Sequence, residues 1–247
     1  MKLPEFKIGK RKVGPKYPPL IIVELGINHN GNFGLAKKII LSAKKSGAEI
    51  IKHQTHLPYY EMSEEAKKIV PVHTKENIYE IIKKCALRIS EEKKLKKFVE
   101  SQKLTFISTP FSREAADQLN LMKVKAFKIG SGECNNYPLI EYICKFKKPI
   151  ILSTGMNDIK SIKVACKIIE KHNINYALMH TTNLYPTPIN LVRLNSLKEL
   201  KKNFPRAVIG LSDHTSDNLT SFAAIALGAS IIEKHYVDSK KIRKGPD

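Results

Sequence analysis

The stretch from Val208 to Tyr236, VIGLSDHTSDNLTSFAAIALGASIIEKHY, decides the fold. An apolar run, VIGL, meets polar punctuation; a helical run, LTSFAAIALG, follows; a second apolar run ends in EKH. That order reads strand, helix, strand. His214 and His235 fall near the C-terminal ends of the two strands, 21 positions apart, about one strand-plus-helix repeat. If consecutive parallel strands lie side by side, both imidazoles reach the same sheet edge. Two converging imidazoles suit a divalent cation. Two unrelated polar residues where strands meet solvent leave the same trace, and this stretch alone does not separate the alternatives.

The same unit recurs toward the N-terminus. PLIIVELGINHNG is a strand leading into an Asn/Gly loop, and Leu35, Ile39, Ile40 and Ala43 then mark one face of a helix that stops near Gly47. The strands AEIIKHQTH, LTFISTPF, VKAFKIGSGE, KPIILSTG and INYALMHTTNLYP follow, each before a helical segment, and AVIGLSDH and ASIIEKHYV complete the series. Apolar strands alternating with helices predict a parallel sheet covered by helices. Eight such units predict a closed (β/α)8 TIM barrel over residues 20–247, after a basic lead segment, 1–19. The second and third strands are separated by roughly twice the usual interval. The extra material, PYYEMSEEAKKIVPVHTKENIYEIIKKCALRI, is expected as an excursion at the mouth, either a lid or a decorative insertion.

Composition narrows the function. A net charge of +20 invites a nucleic-acid reading. Only six of the 43 basic residues are arginine, the side chain that dominates base and phosphate readout, and the lysines fall on polar helix faces such as SEEKKLKKFVES. No nucleic-acid partner is expected, and any such binding would show steep salt dependence. No apolar run is long enough to span a bilayer, and the N-terminus lacks a secretory apolar core. Cys85, Cys134, Cys144 and Cys166 have no paired short spacing, which fits a reducing, cytoplasmic setting.

In such barrels the active site lies at the C-terminal ends of the strands. Here those ends carry Glu24, Asn28 and His29; Lys52, His53 and Gln54; Ser108 and Thr109; Lys128, Ser131 and Glu133; Ser153 and Thr154. The last three offer Thr181, Thr182, Asn183 and Tyr185, then Ser212, Asp213 and His214, then Glu233 and His235. A lysine inside an apolar strand asks for an anionic partner. Lys52 and Lys128 therefore read either as structural ion pairs or as an anion site for phosphate or carboxylate, with the GSGE turn at 130–133 donating backbone N–H groups. Glu24 and Glu133 are candidate acid/base carboxylates, or the lysines' structural partners. The inventory suits metal-assisted carbon–carbon bond formation or phosphoryl chemistry.

The ordered set ELGINHNG, IKHQTH, ISTPFS, FKIGSGECNNYPL, ILSTGM, TTNLYPTP, IGLSDHT, ALGASIIEKHY and terminal GPD resembles bacterial N-acetylneuraminate (sialic acid) synthases from about Phe6 to Asp247. The resemblance implies a transferase of sialic acid biosynthesis that condenses phosphoenolpyruvate with N-acetylmannosamine and water to N-acetylneuraminate and phosphate. It implies Mn2+ or Mg2+ held by His214 and His235. Lys52, Thr109, Lys128, Ser131, Ser153, Asn183 and Ser212 would hold phosphoenolpyruvate; Glu24, Tyr185 and Asp247 would face the sugar. Glu133 would handle the water proton, a duty Glu24 could share. Legionaminate and pseudaminate synthases are the neighbouring alternatives, and a non-catalytic remnant binding metal and phosphoenolpyruvate is another. Members of the family continue past GPD with the last barrel helix and a small antifreeze-like domain that, in a homodimer, reaches the partner's sugar site. For a chain without them the resemblance implies weakened or lost turnover, doubtful dimerisation, and an uncovered apolar flank on strand eight.

Overall fold

The computed structural model describes residues 3–71 and 74–239. Its first elements are two three-residue strands, β1 (Phe6–Ile8) and β2 (Arg11–Val13), paired antiparallel. The barrel units follow as β3 (Leu20–Glu24), α1 (Phe33–Lys45), β4 (Ile50–Thr55), α2 (Pro58–Glu61), α3 (Ile78–Cys85) and α4 (Ile89–Ser101). Then come β5 (Thr105–Pro110), α5 (Arg113–Leu121), β6 (Phe127–Ile129), α6 (Tyr137–Cys144), β7 (Ile150–Ser153) and α7 (Ile159–Lys171). The described chain closes with β8 (Tyr176–Thr181), α8 (Ser196–Asn203), β9 (Val208–Asp213), α9 (Leu219–Ala226) and β10 (Ile231–His235). Strands β3 to β10 pair in parallel, and β10 returns to β3, closing the eight-stranded barrel expected from the alternation.

Local chemistry starts the helices where the sequence supplies a cap. Asn32, Ser112, Asn136 and Asp158 each accept a backbone N–H of the first turn of α1, α5, α6 and α7. Each helix then buries one stripe, such as Ala36, Ile39, Ile40 and Ala43 on α1, in the layer between strands and helices. The excursion between β4 and β5 forms α2, a 3-10 turn at Ala66–Lys68, and α3, none with a fully buried residue.

A second core fills the barrel itself. Leu20, Ile22, Ile50, Ile107, Ala126, Ile151, Ala177, Met179, Val208 and Ile231 point inward, and Phe6, Ile8 and Val13 of the β1–β2 hairpin pack with them. The segment read as a basic lead therefore supplies the barrel's floor, with its lysines left on the outer side of a buried apolar stripe. The expected bare flank is also placed differently. Ile232, the outward apolar residue of β10, is 3% exposed, and the exposure falls instead on Ile21 of β3, Leu41 of α1 and Phe222 of α9. All four cysteines are free thiols.

Candidate functional site

Side chains alternate along a strand, so one inward-facing set runs the length of each strand. In this barrel that set changes character within two residues: Ile22 gives way to Glu24, Ile50 to Lys52, Ala126 to Lys128, Ile151 to Ser153, and Ile231 to Glu233. The floor is aliphatic and the mouth is ionic. Lys52, Lys128, Glu24 and Glu233 are each at most 5% exposed.

These four form one network. Lys52 pairs with Glu24 and lies 3.9 Å from Glu233 Oε1, while Lys128 lies 3.6 Å from the same oxygen. Lys128 Nζ donates to Ser153 Oγ at 2.6 Å, and Ser212 Oγ donates to Glu233 Oε1 at 3.0 Å. Burial pulls the Lys128 ammonium below the usual lysine range, against the opposing field of Glu233. Burial pushes the Glu233 carboxyl up, but Lys128, Lys52 and the Ser212 hydroxyl together bring it below the usual carboxylate range. The Glu233 carboxyl thus stays ionised near neutrality, and Lys52 and Lys128 both face this one buried central anion. The sequence reading offered Glu24 and Glu133 as partners of the lysines; the partner of Lys128 is Glu233. Glu133 is half-buried at the end of a 3-10 turn and accepts a hydrogen bond from Asn136 at 2.6 Å. The signal for Glu233 was present: in IIEKH, period-two alternation puts Ile231, Glu233 and His235 on one face.

The remaining candidates gather around this network. Gly26, with φ +53°, turns its N–H onto Glu24 Oε1 at 2.6 Å, which fixes the carboxylate's orientation. Ser131 Oγ accepts the Gly155 N–H at 3.1 Å. A Cβ at Gly155 would fall on Asn183 Oδ1 and lie 2.9 Å from Ser131 Oγ, so only glycine lets Ser131 and Asn183 approach. Thr109 Oγ1, Asn183 Oδ1 and Glu233 Oε2 are buried polar atoms without a hydrogen-bond partner among the described residues. Buried polar atoms are normally paired, so a cluster of exceptions at a barrel mouth marks a place for a polar ligand. Asp247 lies outside the described residues.

His214 and His235 come together as expected, with ring centroids 5.4 Å apart. The His214 Nδ1–H donates to the Thr182 carbonyl at 2.8 Å, which fixes the tautomer and makes Nε2 the lone-pair nitrogen. That second bond is the usual orienting contact of a metal-ligating imidazole. Tyr185 stacks on His214 with centroids 4.0 Å apart. A cavity of about 520 Å3 opens beside them, bounded by Tyr185, His214, His235, Lys234 and Asn218. Two imidazole donors with room for oxygen ligands fit a divalent cation. No group of three or more His, Cys, Asp or Glu residues suited to hold a metal occurs among the described residues.

An ionic barrel mouth with paired lysines, clustered hydroxyls and two adjacent imidazoles is an enzyme-type arrangement on a (β/α)8 barrel. The NeuB family model matches residues 39–247, and the chain belongs to that family. It is 41% identical to an uncharacterised protein of Methanocaldococcus jannaschii, over 98% of this chain and 69% of that protein. It is 40% identical to the N,N'-diacetyllegionaminic acid synthase of Campylobacter jejuni, over 92% of this chain and 70% of the relative. Among solved structures, the N-acetylneuraminic acid (sialic acid) synthetase of Leptospira borgpetersenii, crystallised with citrate, superposes with a TM-score of 0.87 at 28% identity. That match covers 99% of this chain and 84% of the other.

Proposed function

We propose that this chain condenses phosphoenolpyruvate with an N-acylated amino-sugar aldehyde and water, giving a nonulosonic acid and phosphate. The observation that carries the reading is the pair of buried lysines on either side of Glu233, with hydroxyls at hand. Phosphoenolpyruvate bears a phosphate and a carboxylate close together, and Lys52 and Lys128 supply two fixed cations where water is excluded. Ser131, Ser153, Ser212, Thr109 and Asn183 complete its hydrogen bonds. Glu24 and Tyr185 face the sugar.

A divalent cation held by His214 and His235 would supply Lewis-acid polarisation of the aldehyde. Manganese or magnesium would serve, since both accept oxygen ligands beside the two imidazoles. The chain's own groups orient phosphoenolpyruvate so that its carbon 3 meets the aldehyde carbon, forming the new C–C bond. The buried carboxylates then stabilise the cationic carbon 2 while water adds. Glu133 takes the proton from that water, with Glu24 able to share the duty. Collapse of the tetrahedral centre breaks the C–O bond and releases phosphate, for which the lysines offset the developing charge.

N-acetylmannosamine is the sugar favoured by the SGECNNYPL and KHQTH segments. The 40% identity to the Campylobacter enzyme supports a second reading, in which the sugar is the acylated precursor of a legionaminic acid. Phosphate release with each sugar, with and without manganese, tests both. Turnover is expected to need the metal and to be lost in His214→Ala. Full activity of that variant refutes the metal assignment, and phosphate release that does not depend on the added sugar refutes the reaction.

A further inference from the structure

Outside the barrel lumen, on the other face of β4, lies a buried chain of titratable groups that the proposed chemistry does not use. His29, His53 and Glu92 are each at most 2% exposed. The Gly31 N–H donates to His29 Nδ1 at 3.1 Å, so Nδ1 carries the lone pair. Burial, then the neighbouring His53 and His56, pushes His29 down to about 3, so the ring is neutral and its proton is on Nε2. That proton points at His53 Nε2, 3.2 Å away, with ring centroids 5.2 Å apart. His53 Nε2 is therefore an acceptor, and His53 Nδ1–H donates to Glu92 Oε1 at 2.9 Å. Thr55 Oγ1 donates to the same oxygen at 2.5 Å. Every member has a single assigned direction, from the Gly31 amide to the Glu92 carboxylate. The same tautomer argues against a metal between the two rings, because His29 Nε2 holds a proton.

This relay ties α4 to the loop between β3 and α1, and that loop touches the candidate site twice. Gly26 N–H holds Glu24 Oε1, and Asn28 Nδ2 reaches the carbonyl of Tyr236, the residue after His235, at 3.4 Å. We propose that His53 and Glu92 are positioning residues: through His29 they lock residues 25–32, and so fix Glu24 and the strand end that carries His235. The catalytic part of this inference rests on the reaction proposed above; the locking part does not.

Glu92→Leu removes the terminal acceptor and leaves the His53 N–H unsatisfied, while the Thr55 hydroxyl keeps Ser108 Oγ at 2.7 Å, whereas Glu92→Gln keeps an acceptor in place. The locking is read by amide hydrogen exchange on the full chain. Gly26 and Gly31 are expected to exchange about tenfold faster or more in Glu92→Leu, with β7 and β8 amides unchanged and Glu92→Gln close to wild type. Unchanged Gly31 exchange in Glu92→Leu overturns the proposal, whether or not the chain is active. The positioning is read by kinetics: Glu92→Leu is expected to lower kcat about tenfold or more and raise KM for the sugar, with KM for phosphoenolpyruvate within about twofold, and Glu92→Gln to restore kcat. Faster exchange with unaltered kinetics, or equal losses in both variants, refutes the positioning role. An inactive wild type refutes the functional reading, and exchange then decides the lock alone. Should Glu92→Leu fail to fold, His53→Phe is measured in the same way.

Discussion

The floor and the mouth of this barrel are built from the same strands, yet they answer to different physics. At the floor, Ile8 and Val13 of the hairpin meet Leu20, Ile50, Ile107 and Ile231, all buried. At the mouth, two residues further along, the inward positions are Glu24, Lys52, Lys128 and Glu233. Burial of the floor removes apolar surface from water and stabilises the fold at about 25 cal/mol per Å2. Burial of the mouth costs desolvation that the ion pairs roughly offset, so its charges add little net stability. The difference teaches where each function lives: the floor holds the chain closed, and the mouth carries the buried charges on which the proposed anion site rests. The usual division of TIM barrels into a stability face and a catalytic face is thus written in single residues.

The comparison can be broken at either end. The largest effect is expected in the mouth, from Lys128→Met. Truncating one member of a buried charge pair costs about 2–5 kcal/mol, roughly thirtyfold to several-thousandfold in kcat/KM for phosphoenolpyruvate. Steady-state kinetics checks it, and a loss under threefold would remove Lys128 from the anion site. At the floor, Ile8→Ala is expected to lower stability by about 2–5 kcal/mol in a denaturant titration, with turnover at low temperature unchanged. A Gly155→Ala variant sharpens the mouth further: its Cβ displaces Asn183 and crowds the Thr181 backbone carbonyl, so KM for phosphoenolpyruvate is expected to rise and Tm to fall.

Outside the lumen the test is a pH dependence, read as a slope. His29 titrates at about 3 when folded, against 6.5 in an unconstrained chain. The unfolded state therefore binds the proton first, and stability falls as pH drops from 6.5 towards 3, by about 1.4 kcal/mol per unit. Thermal melts across that window are expected to be less steep for His29→Asn than for wild type. Equal slopes would contradict the buried neutral tautomer.

The barrel was legible because eight apolar strands alternate with helices, and strand pairing needs little more than that. Lys52 and Lys128 were legible because a lysine inside an apolar run is conspicuous. The floor hairpin was not: FKI and RKV are three-residue strands whose lysines mask the buried Phe6, Ile8 and Val13. Glu92 was hidden in SEEKKLKKFVES, read as a solvated face. Its spacing to Leu95 and Val99, three and seven positions on, places it on the buried stripe of α4. Glu233 was visible as a strand-end residue, but its role depends on β6, β9 and β10 converging, which no local pattern states.

The central claim is that the Lys52–Glu233–Lys128 cluster is an anion site for phosphoenolpyruvate. A crystal structure of the wild-type chain soaked with phosphoenolpyruvate tests it most directly. The expected result is density for the phosphate and carboxylate against Lys52 and Lys128, within hydrogen-bond reach of Ser153 and Ser212. Phosphoenolpyruvate bound elsewhere, with the Glu24–Lys52 and Lys128–Glu233 pairs undisturbed, would contradict the account.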